Sequence, residues 1–298
     1  MTAVEAVGGL LEPAGEAAAS PVRHVNTGVG KGGILKKRCR NTKAAKKPCD
    51  VKPRTVPESL QLQRLFMMCH QVFKGPGTVP SDSDVERLSR ILDDMMPEDV
   101  GLSSNLQFFN PKGVVEGNPR VTNTTIYKGN NFSLCIFFLP SAAVIPLHNH
   151  PGMTVFSKLL LGSMHIKAYD WADVPSSAAI GDSNQDGCTL RLAKLKANKT
   201  FTPQCNTSVL YPTSGGNIHE FRAITPCAVL DVLGPPYSKD DGRDCSYYRD
   251  IPYGASSSGD VNVAEADEDG DLYGWLEEIE IPDESKMDVI QYLGPRVV

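Results

Sequence analysis

Apolar positions along this chain fall into two regimes. Between residues 57 and 97 they recur at intervals of three and four. Leu60, Leu62, Leu65, Phe66, Cys69 and Val72 form one such stripe, and Val85, Leu88, Ile91, Leu92 and Met95 form a second. That spacing places apolar side chains on one face of a helix and predicts two amphipathic helices. The second opens near Ser81–Ser83, where a hydroxyl can cap the first free N–H groups, and ends at Pro97. From about residue 105 the pattern shortens. Strands are predicted over 124–127, 132–138, 143–147, 154–161, 164–169, 190–197, 209–211, 218–223 and 228–233, with Gly, Pro, Asn and Asp between them. Many short strands with turn signals indicate an all-β sandwich or barrel, with helices confined to the N-terminal side. Residues 272–282 return to alternation and read as an edge strand. Residues 174–187 and 254–271 have loop composition and read as insertions.

Residues 1–55 follow neither regime. They are poor in large apolar side chains and cannot offset the entropy of ordering, so they are expected to be a disordered tail ahead of a domain over 56–298. Charge divides at the same place. The tail holds 11 Lys and Arg against 4 Asp and Glu, a balance of +7; the rest holds 19 against 31, a balance of −12. The cluster Lys36-Lys-Arg-Cys-Arg40, with Lys43, Lys46 and Lys47, is of a kind that serves nuclear import or contacts nucleic acid, and equally of a kind that is merely a solvated tail. No run of eighteen apolar residues occurs, so no membrane span is expected. Eight scattered cysteines, none in C-x-x-C, give no zinc ribbon and fit an intracellular chain with reduced thiols.

Candidate chemistry lies in three histidines. His148 and His150 stand in P-L-H-N-H-P-G-M (146–153), and His219 stands in G-G-N-I-H-E (215–220). Residues two apart on a strand share a face, and a third imidazole from a distant strand can complete one side of a metal's coordination sphere. Neutral imidazole suits iron, zinc, copper and nickel, and three such ligands leave positions for substrate or oxygen.

The order P-L-H-x-H-P-x-M, then L-x-G-x-M-H-I-K-x-Y-D-W, then G-G-x-I-H-E-F resembles the paired motifs of cupin thiol dioxygenases. It is most similar to the plant cysteine oxidase family, related to 2-aminoethanethiol dioxygenase. The segments P-E-D-V-G-L (97–102) and V-L-G-P-P-Y (232–237) carry the same resemblance, which runs from about residue 58 to the C-terminus. It implies a cupin, a double-stranded β-helix (jelly-roll) barrel with N-terminal helices. It also implies Fe(II) held by His148, His150 and His219. Ordinary metal cupins place a glutamate shortly after the H-x-H pair; here 151–155 hold no carboxylate, so the ion would keep its full +2 charge and favour an anionic thiolate. The implied reaction converts an N-terminal cysteine of a protein to its sulfinic acid with both atoms of O₂. That product would feed an oxygen-sensing N-degron pathway, with group seven ethylene-response transcription factors as expected targets. A monomer of nucleus and cytoplasm is expected, without direct nucleic-acid or membrane contact.

Residues matching Asp231 and Tyr237 border the substrate pocket in that family, and Asp231 would hold the substrate's ammonium or its proton. The plain reading of Asp231 is a strand-end carboxylate bonded to the next turn. His165 is expected to pack or support rather than ligate. Cys245 and Tyr247 are close enough in sequence to approach one another, and Cys69, Cys135 and Cys227 are expected in the core. Another metal-dependent cupin enzyme, a dioxygenase of small thiols, and a binding module with a vestigial cupin remain as alternatives.

Overall fold

The structure, a computed structural model, describes residues 59–103, 119–172, 190–252 and 272–298. The basic tail and both polar insertions fall outside the described residues.

Two helices open it. In α1 (Leu60–Val72) the Ser59 hydroxyl accepts from Leu62 N–H, and in α2 (Asp82–Asp93) the Ser81 hydroxyl accepts from Asp84 N–H. The second cap matches the sequence expectation; the first was not read from the sequence. Two details differ. Leu60 is not part of the buried stripe but 82% exposed, because it occupies the first helical position and points away from the core. Helix α2 stops at Asp93, and Pro97 instead begins a 3-10 turn, Pro97–Val100.

Among the described residues twelve strands follow: β1 (Thr122–Lys128), β2 (Ser133–Leu139), β3 (Val144–Asn149), β4 (Thr154–Leu161), β5 (Met164–Trp171), β6 (Leu190–Phe201), β7 (Ser208–Leu210), β8 (Ile218–Ala223), β9 (Cys227–Gly234), β10 (Tyr247–Pro252), β11 (Tyr273–Ile279) and β12 (Asp288–Val289). Six form a sheet in the order β12-β1-β2-β9-β4-β7. The other six, β10-β11-β6-β5-β8-β3, close into a barrel through the pairing of β10 with β3. This is the expected β-rich barrel with its helices on the N-terminal side. The C-terminal strand β11 is not an edge, since it pairs with β10 on one side and β6 on the other.

Strand parity sorts the side chains. On β9, Ala228, Leu230 and Val232 join Phe156 and Leu160 of β4 under the helices, against Leu62, Leu65, Leu88 and Leu92. Their neighbours Cys227 and Val229 face the other way, toward Ile145, Met164, Ile166 and Phe221 of the barrel. Both faces of β9 are therefore covered and all eight of its residues are buried. Each fully buried Leu or Phe in such a layer contributes about 1.5–3 kcal/mol. Parity also sends Asp231 inward, between Cys135 of β2 and Ser157 of β4.

Candidate metal centre

His148 on β3 and His219 on β8 are direct cross-strand partners. The ladder shifts register between Ile145 and His148, a stretch that includes Pro146, which has no N–H to give. His150 lies one residue beyond the end of β3 rather than on it. A side chain replaces the missing ladder: Asn217 Oδ1 accepts from His150 N–H at 3.2 Å, and Asn217 Nδ2 donates to His150 C=O at 2.9 Å.

The turn carrying Asn217 is itself held. The buried Asp170 carboxylate accepts from the N–H groups of Gly216 and Asn217, both at 2.9 Å. Gly216 has φ +85°, and a Cβ there would stand 2.7 Å from Ala168 Cβ, so this approach admits only glycine.

The three rings form a nearly equilateral triangle, with centroids 4.8, 4.9 and 4.8 Å apart. Their nitrogens lie within 4.8 Å of one another. Hydrogen bonding fixes two tautomers. Pro146 C=O can only accept, so His148 Nδ1–H donates to it at 2.8 Å. The single proton of the Tyr237 hydroxyl goes to Asn149 C=O at 2.9 Å, so that oxygen accepts from His150 Nδ1–H at 2.8 Å. Both rings therefore keep an Nε2 lone pair for a ligand. His150 Nε2 stands 3.3 Å from His219 Nε2, and such a pair needs a proton or a cation between its nitrogens. Two imidazole nitrogens about 2.1 Å from one ion and at right angles to each other would be roughly 3.0 Å apart, so the spacing fits a shared metal.

Burial lowers the basicity of all three rings. His150 and His219 are driven well below the usual imidazole value, first by desolvation and then by repulsion from neighbouring imidazoles. The cluster is thus neutral at physiological pH, the form that binds a metal.

A cavity of about 440 Å³ has His219 in its lining, with Ser157, Ala168, Gly216, Lys196 and Lys199. The 202–208 loop supplies another wall. Lys158, on the helix-facing side of β4, donates to the carbonyls of Pro203 and Cys205, both at 3.0 Å. Asp93, which ends α2, accepts from the N–H and hydroxyl of Thr207 at 2.6 and 2.7 Å.

Of the other candidates, Tyr237 touches the cluster through His150. Its hydroxyl stays protonated, because burial and then the nearby Cys245 raise its pKa well above 10. Asp231 is buried beside Ser157 and stands apart from the imidazole triangle, with its Oδ1 unpartnered. It is not bonded to the following turn. His165 likewise stands outside the triangle. Cys245 comes within reach of both Tyr237 and Tyr247. Cys69 and Cys227 are core residues, whereas Cys135 is half-buried. The sequence reading missed Asn217, Asp170 and Lys158. The first two lie inside the G-G-N-I-H and Y-D-W segments, which were the available signal.

Burial lifts the Asp231 carboxyl to about 7, against a weaker opposing bond from Ser157. The folded state then holds a proton that the unfolded chain releases near 3.8, so stability falls as pH rises from about 4 to about 7. In the metal-free protein, Asp231→Asn should melt close to the parent at low pH and several degrees above it at pH about 8. Parallel melting curves across that range would contradict this assignment.

Comparison with known proteins gives consistent relatives. The family model PCO_ADO matches residues 91–297. The chain is 48% identical over 242 residues to plant cysteine oxidase 1 of Arabidopsis thaliana, covering 79% of this chain and 80% of that one. It is 31% identical over 204 residues to 2-aminoethanethiol dioxygenase of Mus musculus, covering 63% and 78%. Among solved structures, an RmlC-like cupin protein from Desulfovibrio desulfuricans aligns with 42% of this chain and 95% of its own, at 15% identity and a TM-score of 0.26.

Proposed function

This chain belongs to the PCO_ADO family and is a thiol dioxygenase, and from that premise we propose that it oxidises the N-terminal cysteine of target proteins to the sulfinic acid, using Fe(II) held by His148, His150 and His219. One observation carries the reading: three neutral imidazoles converge, His219 among them lining a cavity, and none of the ligand positions is a carboxylate. Such a set leaves a divalent ion its full charge, which suits a substrate that binds as a thiolate. Ferrous iron bound there would supply the redox chemistry that joins O₂ to sulfur.

The residues of the chain do the rest. The His148 and His150 tautomers are set before any ion arrives, by Pro146 and by Tyr237. Tyr237 is a positioning residue in this reading. Asp231, one pair away from the cavity-lining Ser157, serves the substrate's ammonium or its proton. Its unpartnered oxygen supports that role.

We extend the proposal to group seven ethylene-response transcription factors as targets, a monomeric enzyme, and a nuclear and cytoplasmic location directed by the basic tail ahead of the 56–298 domain. No helix among the described residues is long and apolar enough to cross a membrane.

The test is mass spectrometry of Cys-initiating peptides incubated with the iron-loaded protein under ¹⁸O₂. The expected product gains two labelled oxygen atoms. A protein that retains zinc alone, and consumes no O₂ with any thiol after iron reconstitution, would defeat the reading.

A further inference from the structure

Tyr237 sets the His150 tautomer, yet its own segment offers little to hold it in place. It stands in Gly234-Pro-Pro-Tyr237, which leaves β9 at Gly234, the last residue paired with β4. Pro235 and Pro236 have no N–H, so over these two residues the backbone can be held only through its carbonyls. The Tyr237 ring packs against the cluster of Met153, Val155, Leu210 and Leu233. Apolar contact has no direction, so it does not aim a hydroxyl.

Arg243 supplies the directional hold. Its Nη1 donates to Pro236 C=O, and its Nη2 donates to the Asp241 carboxylate at 3.0 Å. Backbone bonds close the turn in between: Ser238 N–H donates to Arg243 C=O at 3.0 Å, and Arg243 N–H donates to Ser238 C=O at 2.8 Å. The plain reading is an ion pair stapling a surface turn. Exposure argues against it, because the Asp241 side chain is 53% exposed and that of Arg243 only 13%, so the guanidinium is turned inward. Its stem also lies over the turn that follows His150, where a Cβ at Gly152 would stand 3.2 Å from Arg243 Cδ. One side chain thus touches the segments on both sides of the His150–Tyr237 hydrogen bond.

The far end of the same stretch is fastened to the ligand strand as well. Ser246 N–H donates to Asn149 Oδ1 at 2.8 Å, and Asn149 N–H donates to Ser246 C=O at 3.1 Å. Residues 237–246 therefore form a strap bonded to the H-x-H segment at both ends, with Arg243 between them.

We infer that Arg243 is a positioning residue of the metal centre: by holding Pro236 it aims the Tyr237 hydroxyl, and through that hydroxyl it keeps His150 Nε2 free for the ion. The inference rests on the reading of the three histidines as an Fe(II) site, and not on which thiol is oxidised.

A double-mutant cycle with Tyr237→Phe tests it. The quantity read is the Fe(II) affinity of the full-length protein, measured without oxygen by competition with a chelator. Arg243→Met keeps an apolar stem over Gly152 and removes the donors. Alone it should weaken iron binding about tenfold, within the range that partners of metal ligands contribute. In the Tyr237→Phe background the same substitution should cost less than about threefold, because the hydroxyl it aims is already gone. An arginine that only stabilised the fold would cost the same in both backgrounds. Arg243→Lys keeps the charge and one donating group, and it carries the same cycle with a smaller first loss if the Met variant does not fold. Unchanged iron affinity in Arg243→Met, or a loss of about threefold or more that repeats in the Tyr237→Phe background, overturns the role and leaves the dioxygenase reading intact. A parent protein that binds no Fe(II) defeats the metal reading itself, and this inference falls with it.

Discussion

His219→Ala loses the metal and the activity with it, and the variant remains folded. Removing one of three ligands weakens iron binding by more than about 100-fold, since even the partners of ligands are worth 10- to 100-fold. Elemental analysis of the reconstituted variant should find little iron, and labelled oxygen should not enter a Cys peptide. The fold survives because the imidazoles contribute little to it. Each is desolvated, neutral and crowded by its neighbours, with His150 Nε2 only 3.3 Å from His219 Nε2. Losing the ring also loses its stacking on Phe221, at 4.4 Å between centroids, and leaves a small void. Relief of the crowding offsets that loss in part, so the net change should stay within about 2 kcal/mol, or roughly 6 °C in melting temperature. A variant that keeps one iron per chain and full turnover would remove His219 from the centre.

Tyr237→Phe comes second in size. It deletes one oxygen, and with it both the acceptor for His150 Nδ1–H and the donor to Asn149 C=O. Without that anchor the imidazole can rotate or carry its proton on Nε2, where it blocks the ion. Iron affinity, measured by competition with a chelator, should fall about 10- to 100-fold. Activity should return in large part at saturating iron, because Tyr237 acts through His150. Unchanged affinity with lost turnover would instead make the hydroxyl a participant in the chemistry.

The sequence exposed what depends on local pattern. Strands β4 and β8 were legible to the residue, because apolar runs between Gly and Pro punctuation mark both ends. The H-x-H pair and the later histidine were legible as candidate ligands by spacing and residue type alone, and the structure brings the three together. Features set by distant partners were not. Strand β10, Tyr-Tyr-Arg-Asp-Ile-Pro, has no alternation of its own and exists because β3 and β11 flank it. The interior position of β11 has the same cause, since being an edge is a property of neighbours. His150 shares a face with His148, but the strand ends before it, and what fixes it is the amide of Asn217, 67 residues away. Asp231 was legible as a candidate; its unpartnered oxygen and its raised pKa follow from the parity of a strand covered on both sides.

The fastening of the 202–208 loop by Lys158 and Asp93 has a practical meaning for anyone trimming this protein. The two helices cover the outer sheet, and a carboxylate at the end of one of them also grips the rim of the cavity. A version reduced to its strands would bare the apolar face of the outer sheet and would leave the 202–208 loop held by Lys158 alone.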